Sequence, residues 1–457
     1  MKNVLILLSS LLLSCSHLSS KQGQFQLRPY EEVKLENGLT VLFIPNSSLP
    51  RLGIQLLLKK GAALDPQGKE GVSLLMTQML EMGTTTRSAP KLAAELENLG
   101  SELNQSVTSD YITVSTSGLT QYEKELTSLF ADVILNPAFE AKEIAKKKSE
   151  QIASLQRLKD DPSSWTDVLT DRELFGSHPY GQVAAGTEKS VQELQRADVI
   201  RQYFRIFRPN EALLAVTGQY SAATRESLLQ QFKKWQYRES DQLASAPEVK
   251  NQSQRVILFH QKGLQQTQIR MSRIGIQRTD PNFLKYRLAN MTLGGAFASR
   301  LNQKVRDDKG LTYSIYSQVD ARREPGLFEV STFTRHEKVK ETIETTLQAL
   351  QEYRNEGMTS RELSAAKSVL IGQFPAALET TDRMAFNMML LRLYGISDDY
   401  LKNFNQNVNS ISKSQVHEAI QKLIEPSELQ IVVYSDREAV EEQLKALAIP
   451  LTIKEAR

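Results

Sequence analysis

Few residues in this chain are placed to do chemistry. The five histidines, His17, His178, His260, His336 and His417, are scattered singly. No two have the i, i+4 spacing that brings two imidazoles of one helix to one metal ion. The single cysteine, Cys15, forms no internal disulfide and closes the apolar run "MKNVLILLSSLLLSC". The oddest pattern lies in "GVSLLMTQMLEMGTTTRS", residues 71 to 88, which reads as a helix stopped by a glycine and threonines. Val72, Leu75, Met76 and Met79 recur at helical spacing and predict a buried face. Leu74, Thr77, Gln78 and Glu81 recur at i, i+3, i+4, i+7 on a second face that is neither core nor ordinary charged surface. Glu81, its one acid, reads as a helix-end surface residue.

The elements that must position these residues recur in order. "EEVKLENGLTVLFIPN" predicts a hairpin turning at Glu36-Asn37-Gly38, and "LGIQLLLKKGAALD" a further strand. After the 71–88 helix come "APKLAAELENLG", a helix capped by Gly100, and "SELNQSVTSDYITVSTSGL", one or two strands. Two long helices, the strand "EALLAVTGQY" and a last helix close the half near Tyr237. Residues 238–252 read as a polar linker, after which strands, the helices "FLKYRLANMTLGG" and "SRLNQKVRDDKG", more strands and long helices follow in the same order. "ELQIVVYSD" echoes "EALLAVTGQY". The pattern predicts an α+β fold of two homologous halves, 31–237 and 253–457, each an antiparallel-rich sheet packed with helices.

With 457 residues, 40% hydrophobic, and a net charge of +3, the composition is that of a globular protein and gives no argument for nucleic-acid binding. The first fourteen residues are too short to span a bilayer as a mature helix and read as a secretory signal. Leu12, Leu13 and Ser14 before Cys15 resemble a bacterial lipobox, which implies cleavage before Cys15 and its acylation; an ordinary cleaved signal with a stray cysteine is the competing reading. Ser16, following the cysteine, points by analogy to the outer membrane facing the periplasm, with residues 15–30 as a tether.

Six stretches share one resemblance: "GLTVLFIPN", "GVSLLMTQMLEMGTTTRS", "LNQSVTSDYITV", "HPYGQVAAGT", "YFRIFRPNEALLAVTGQY" and "LGGAFASRLNQKVRDDKGLTYSIYS". Together they resemble the pitrilysin/insulinase superfamily, within it the mitochondrial processing peptidase and bacterial two-domain branch, over almost all of residues 31–440. The resemblance implies a metallohydrolase-like fold of the processing-peptidase type, its two halves facing each other across a chamber. Active members of that family hold zinc with H-x-x-E-H on one helix and a later glutamate, the motif's own glutamate serving as general base. Aligning on "GTTTRS" puts Leu74 and Gln78 at the histidine positions and Thr77 at the catalytic glutamate. Anchoring on "LKDDP" puts Ala153 or Ser154 at the third ligand, with Glu150 one turn earlier. Leucine offers no lone pair, a glutamine carbonyl is a weak neutral ligand, and threonine does not deprotonate water near pH 7. No zinc is therefore expected in this chain.

The second half keeps the family's R-x(6)-Y arrangement at Arg306 and Tyr313, which in two-subunit relatives reach across the chamber to substrate. A guanidinium and a phenol there donate to peptide carbonyls and to an oxyanion. The plainer reading has Arg306 pairing Asp307 or Asp308, Gly310 as a cap and Tyr313 as a strand aromatic. The family also uses an edge strand to which substrate adds through main-chain hydrogen bonds, here Asn104, Gln105, Ser106, Val107 and Thr108. The resemblance thus implies a catalytically silent subunit that pairs with a zinc-bearing H-x-x-E-H sister chain and offers Arg306 and Tyr313 to unfolded peptide. The alternative is a non-enzymatic peptide-binding or scaffolding lipoprotein of the cell envelope.

Overall fold

A computed structural model of the chain describes residues 26–239 and 246–456. The signal segment, Cys15 and most of its tether lie outside the described residues, as does the middle of the 238–252 linker. Among the described residues no helix is long and apolar enough to cross a membrane.

Among the described residues twelve strands form two six-stranded sheets. In chain order they are β1 (Glu31–Lys34), β2 (Thr40–Pro45), β3 (Arg51–Leu58), β4 (Leu103–Val107), β5 (Ile112–Leu119), β6 (Ala212–Gly218), β7 (Arg255–His260), β8 (Thr267–Ile274), β9 (Ile315–Asp320), β10 (Leu327–Thr334), β11 (Gln430–Ser435) and β12 (Leu451–Glu455). The orders are β1-β2-β6-β3-β5-β4 and β12-β7-β11-β8-β10-β9. From β2 onward the first sheet maps onto the second position by position, which is the duplication the sequence pattern predicted. In each sheet one internal pair is parallel, β2 with β6 and β7 with β11. β11 is buried at every position and β6 at all but its last, so both read as unbroken apolar runs rather than alternations. β5, covered on one face, alternates buried with half-buried residues.

The halves differ at one edge. β1 reaches β2 through the hairpin and is antiparallel to it, whereas β12, the C-terminal strand, takes the matching place parallel to β7. The short, half-exposed segment "LTIKE" carries too little apolar signal to be read as a strand from sequence.

Each half lends a helix to the other. Five helices matter for the site: α1 (Val72–Gln78), α2 (Ala141–Asp160), α3 (Pro162–Phe175), α4 (Phe283–Leu293) and α5 (Thr381–Leu393). α3 leaves the first half to lay Trp165 and Leu169 on Ile257, Phe259, Val432 and Tyr434 of the second sheet. Its Asp167 takes a 2.6 Å ion pair from the fully buried Arg270 of β8. Reciprocally, α5 sets Met384, Ala385, Met388 and Met389 into one cluster with Leu42, Ile44, Leu57, Leu213 and Ala215 of the first sheet. Asp382 at its start pairs with Arg51 at 2.6 Å. Apolar burial of this extent in both directions makes the two halves one cooperative unit.

Candidate functional site

α1 is seven residues long, shorter than the stretch that predicted it. It tightens into a 3-10 turn, Met79–Glu81, before Gly83, whose φ of +103° ends helical geometry. Its start is tied down by a buried carboxylate. Asp65 accepts from the Gly71 and Ser73 backbone N–H groups at 2.7 and 3.2 Å, from the Ser73 hydroxyl, and from the Gln202 amide at 3.2 Å. Burial pushes the Asp65 carboxyl up to about 7 even though the donors pull it down. Gly71 sits at φ +93°, and a Cβ there would lie 2.6 Å from the Ala185 carbonyl. The "AAGT" segment, held by the Gln151 amide, is thus a wedge against the start of α1. His178 belongs to the same supporting loop: it is buried and its Nδ1 accepts from the Tyr180 N–H at 3.1 Å.

The two faces of α1 sort as follows. Val72, Leu75, Met76 and Met79 are buried, as their spacing predicted. Leu74, Gln78 and Glu81 form the less buried stripe. Thr77 does not share it: the side chain is 0% exposed and its hydroxyl donates to the Ser73 carbonyl at 2.8 Å. Spacing alone put Thr77 on the odd face; in the structure it is buried, with its hydroxyl satisfied within its own helix.

Opposite this stripe runs α2. Ser154 is exposed, Ala153 half-buried, and Glu150 exposed. Lys147, one turn before Glu150, reaches Glu81 at 2.8 Å and Glu150 at 3.1 Å. Burial pulls its ammonium down, but the hydrogen bonds to the two carboxylates hold it above the ordinary lysine value. A cation therefore links the end of α1 to α2 where sequence reasoning had only considered acids. Lys147 lies in the run "AKKKSE", and three consecutive lysines carry no sequence signal that sets one apart.

These residues do not fit zinc. Leu74 has no donor atom, the Thr77 hydroxyl is turned away and bonded, and Gln78 supplies only an amide. The adjoining carboxylates of Glu81 and Glu150 are held by Lys147. Among the described residues no three His, Cys, Asp or Glu side chains converge as a metal-binding group.

The strand edges differ in a way that bears on peptide. β4 ends the first sheet and pairs only with β5, and no further strand among the described residues covers its outer side. Asn104 and Ser106 are exposed along it, while Leu103, Gln105 and Val107 turn toward the protein. β9 holds the same place in the second sheet but its edge is blunted. The Ser317 N–H donates to the Gly294 carbonyl at 3.1 Å, and Asn290 and Asn302 donate to the Ser317 and Ile315 carbonyls at 2.9 and 3.0 Å. Of the two equivalent edges, β4 alone keeps its outer side free for an added strand.

Arg306 and Tyr313 lie close together. The predicted helix "SRLNQKVRDDKG" is, over Asn302–Asp307, a π-helical turn. Leu301 and Val305 bury its inner side, leaving Arg306 directed outward. The Arg306 guanidinium lies over the Tyr313 ring at 5.5 Å, and over that of Phe297 at 4.6 Å. Phe297 was not singled out from sequence; its signal was an aromatic between Gly294-Gly295 and a basic segment. No hydrogen bond, ion pair or ring contact among the described residues joins this cluster to α1.

The family description "Insulinase (Peptidase family M16)" matches residues 40–187, and "Peptidase M16 inactive domain" matches residues 193–370. The chain belongs to the insulinase family of peptidases, M16. It is 24% identical over 389 residues to an uncharacterized zinc protease, YmxG, of Bacillus subtilis, covering 83% of this chain and 93% of that protein. It is 22% identical over 407 residues to a non-peptidase homologue of Helicobacter pylori, covering 87% and 92%. A solved structure described as the peptidase M16 inactive domain from Pseudomonas fluorescens superposes with a TM-score of 0.81 at 25% identity, covering 89% of this chain and 98% of that one. The Bacillus subtilis and Helicobacter pylori relatives carry opposite functional names.

Proposed function

We propose that this M16 chain is a catalytically silent subunit that binds unfolded peptide and completes the chamber of a sister chain bearing an intact H-x-x-E-H motif. The observation that carries this reading is the open β4 edge kept beside a helix whose donor set cannot hold zinc. Strand addition reads the main chain and needs no metal, so it survives with Leu74, Thr77 and Gln78 in place of the H-x-x-E-H motif. Arg306 and Tyr313 would meet the same peptide from the second half, donating to carbonyls and to developing negative charge at the partner's site. Zinc then belongs to the partner, and this chain needs no cofactor of its own. Cys15, acylated after signal cleavage, would hold the pair at the bacterial envelope, on the outer membrane facing the periplasm.

The test is reconstitution. Mixing this chain with its H-x-x-E-H sister is expected to switch on hydrolysis of unstructured peptides, and Arg306→Ala is expected to lower kcat/KM of the pair by about 10²-fold. A pair whose activity is indifferent to Arg306 and Tyr313 would support instead the non-enzymatic peptide-binding or scaffolding reading.

A further inference from the structure

The cluster around Arg306 carries more than the R-x(6)-Y spacing asked of it. Phe297 is 77% exposed and Tyr313 79%, the two most exposed large apolar side chains in the described part of the protein, and they lie side by side on one guanidinium. Nearby cations are already satisfied. Arg300 makes two bonds to Glu362, at 2.7 and 2.8 Å, and Lys304 reaches Glu352 at 2.5 Å. Arg306 differs. Its nearest carboxylate oxygen is that of Asp307 at 4.0 Å, beyond hydrogen-bond distance, and it donates no hydrogen bond to any described residue. Its side chain is nevertheless only 25% exposed, and its guanidinium carbon lies 4.6 and 5.5 Å from the two ring centroids.

The platform is rigid. The Asn302 amide bonds the Ile315 carbonyl at 3.0 Å and the Ser299 hydroxyl at 3.1 Å, tying the π-helical turn to β9 and to the loop that bears Phe297. Turns of this kind are uncommon and concentrate at functional sites. A guanidinium with rings against its face presents its N–H edge, and that fork matches a carboxylate with two parallel bonds but a carbonyl with one. The exposed rings on either side offer apolar contact to whatever side chain neighbours the anion.

We propose that Phe297, Arg306 and Tyr313 form a receptor for a carboxylate carried next to an apolar side chain of the peptide, with Phe297 the specificity-determining residue. This rests on the peptide-chamber reading and names the class of peptide it takes. The carboxylate is either a free C-terminus or an acidic side chain, and the experiment separates the two.

The full chain is titrated into three fluorescently labelled unstructured peptides, read by anisotropy: one ending in a free leucine carboxylate, the same peptide amidated, and the amidated peptide with a glutamate placed beside the leucine. At least one carboxylate-bearing peptide is expected to bind about tenfold more tightly than the amide, a preference Arg306→Gln removes. The free acid alone gaining identifies the C-terminus; the glutamate peptide gaining identifies a side chain. Replacing the leucine by glycine is expected to weaken binding about fivefold to the native chain and not to Phe297→Ala. If all three peptides bind the native chain equally, the receptor is overturned while the peptide-chamber reading stands. If none binds, the chamber reading fails and the receptor with it.

Discussion

Thr77→Glu puts a carboxylic acid where the H-x-x-E-H resemblance would place the catalytic glutamate, and the structure says what that costs. The Thr77 side chain is 0% exposed and bonded to the Ser73 carbonyl, among Leu75, Met76 and Met79. A glutamate placed there is held neutral, because burial disfavours its charged form. At about 1.36 kcal/mol per unit between the unfolded glutamate pKa near 4.3 and pH 7.5, the cost of neutralising it is about 4 kcal/mol. Overpacking adds about 1–3 kcal/mol. The substitution should therefore destabilise the chain by roughly 5–7 kcal/mol at pH 7.5, and by about 2–4 kcal/mol at pH 5. The sign follows from a folded-state pKa raised above the unfolded one: the penalty is small below about pH 4.3 and grows as pH rises. Thr77→Val, which keeps the shape and removes only the hydroxyl, should cost about 1 kcal/mol and show no pH dependence. Urea denaturation of the three proteins across pH 5 to 8 measures this. A Thr77→Glu chain within about 1 kcal/mol of the native one at pH 7.5 would mean that the helix still presents this position to an open, wet site.

Three further outcomes are expected. Asp65→Ala leaves the Gly71 and Ser73 N–H groups without their carboxylate acceptor, and should lower stability by about 3 kcal/mol in urea denaturation, with amide exchange rising first in residues 71–78. Asp171, which faces Arg322 across the junction of the halves at 3.9 Å, is pushed by burial from 3.8 up to about 7. Its contribution to stability is largest at acid pH and is lost as pH rises toward 7, so Asp171→Asn should flatten the dependence of the urea midpoint between pH 5 and 7. Peptides N-methylated at alternate residues should bind about tenfold more weakly than their parents in anisotropy titrations, since strand addition to β4 uses main-chain N–H groups; unchanged binding would place peptide elsewhere.

Much of this molecule was legible before its structure. The duplication was visible because β6 and β11 are buried on both faces and read as matching apolar runs. The buried face of α1 was legible through the helical spacing of Val72, Leu75, Met76 and Met79. What escaped depends on partners distant in sequence. Thr77 is fully buried although helical spacing placed it on the odd face, because burial depends on what packs over a position. Lys147 gains its place from Glu81, 66 residues away. Phe297 acquires meaning only where a π-helical turn carries Arg306 onto its ring. The exchange of α3 and α5 between the halves leaves no mark on either helix alone, because an apolar face does not say which sheet it covers.

The account turns on the claim that the α1 face has given up metal while the fold around it is kept. Calorimetric titration of the full, folded chain with zinc at pH 7.5 tests this most directly. The expected result is no site tighter than on the order of 10 μM, with Leu74→Ala and Gln78→Ala titrating like the native chain. One zinc bound per chain with a Kd on the order of 1 nM, lost in Gln78→Ala, would contradict it.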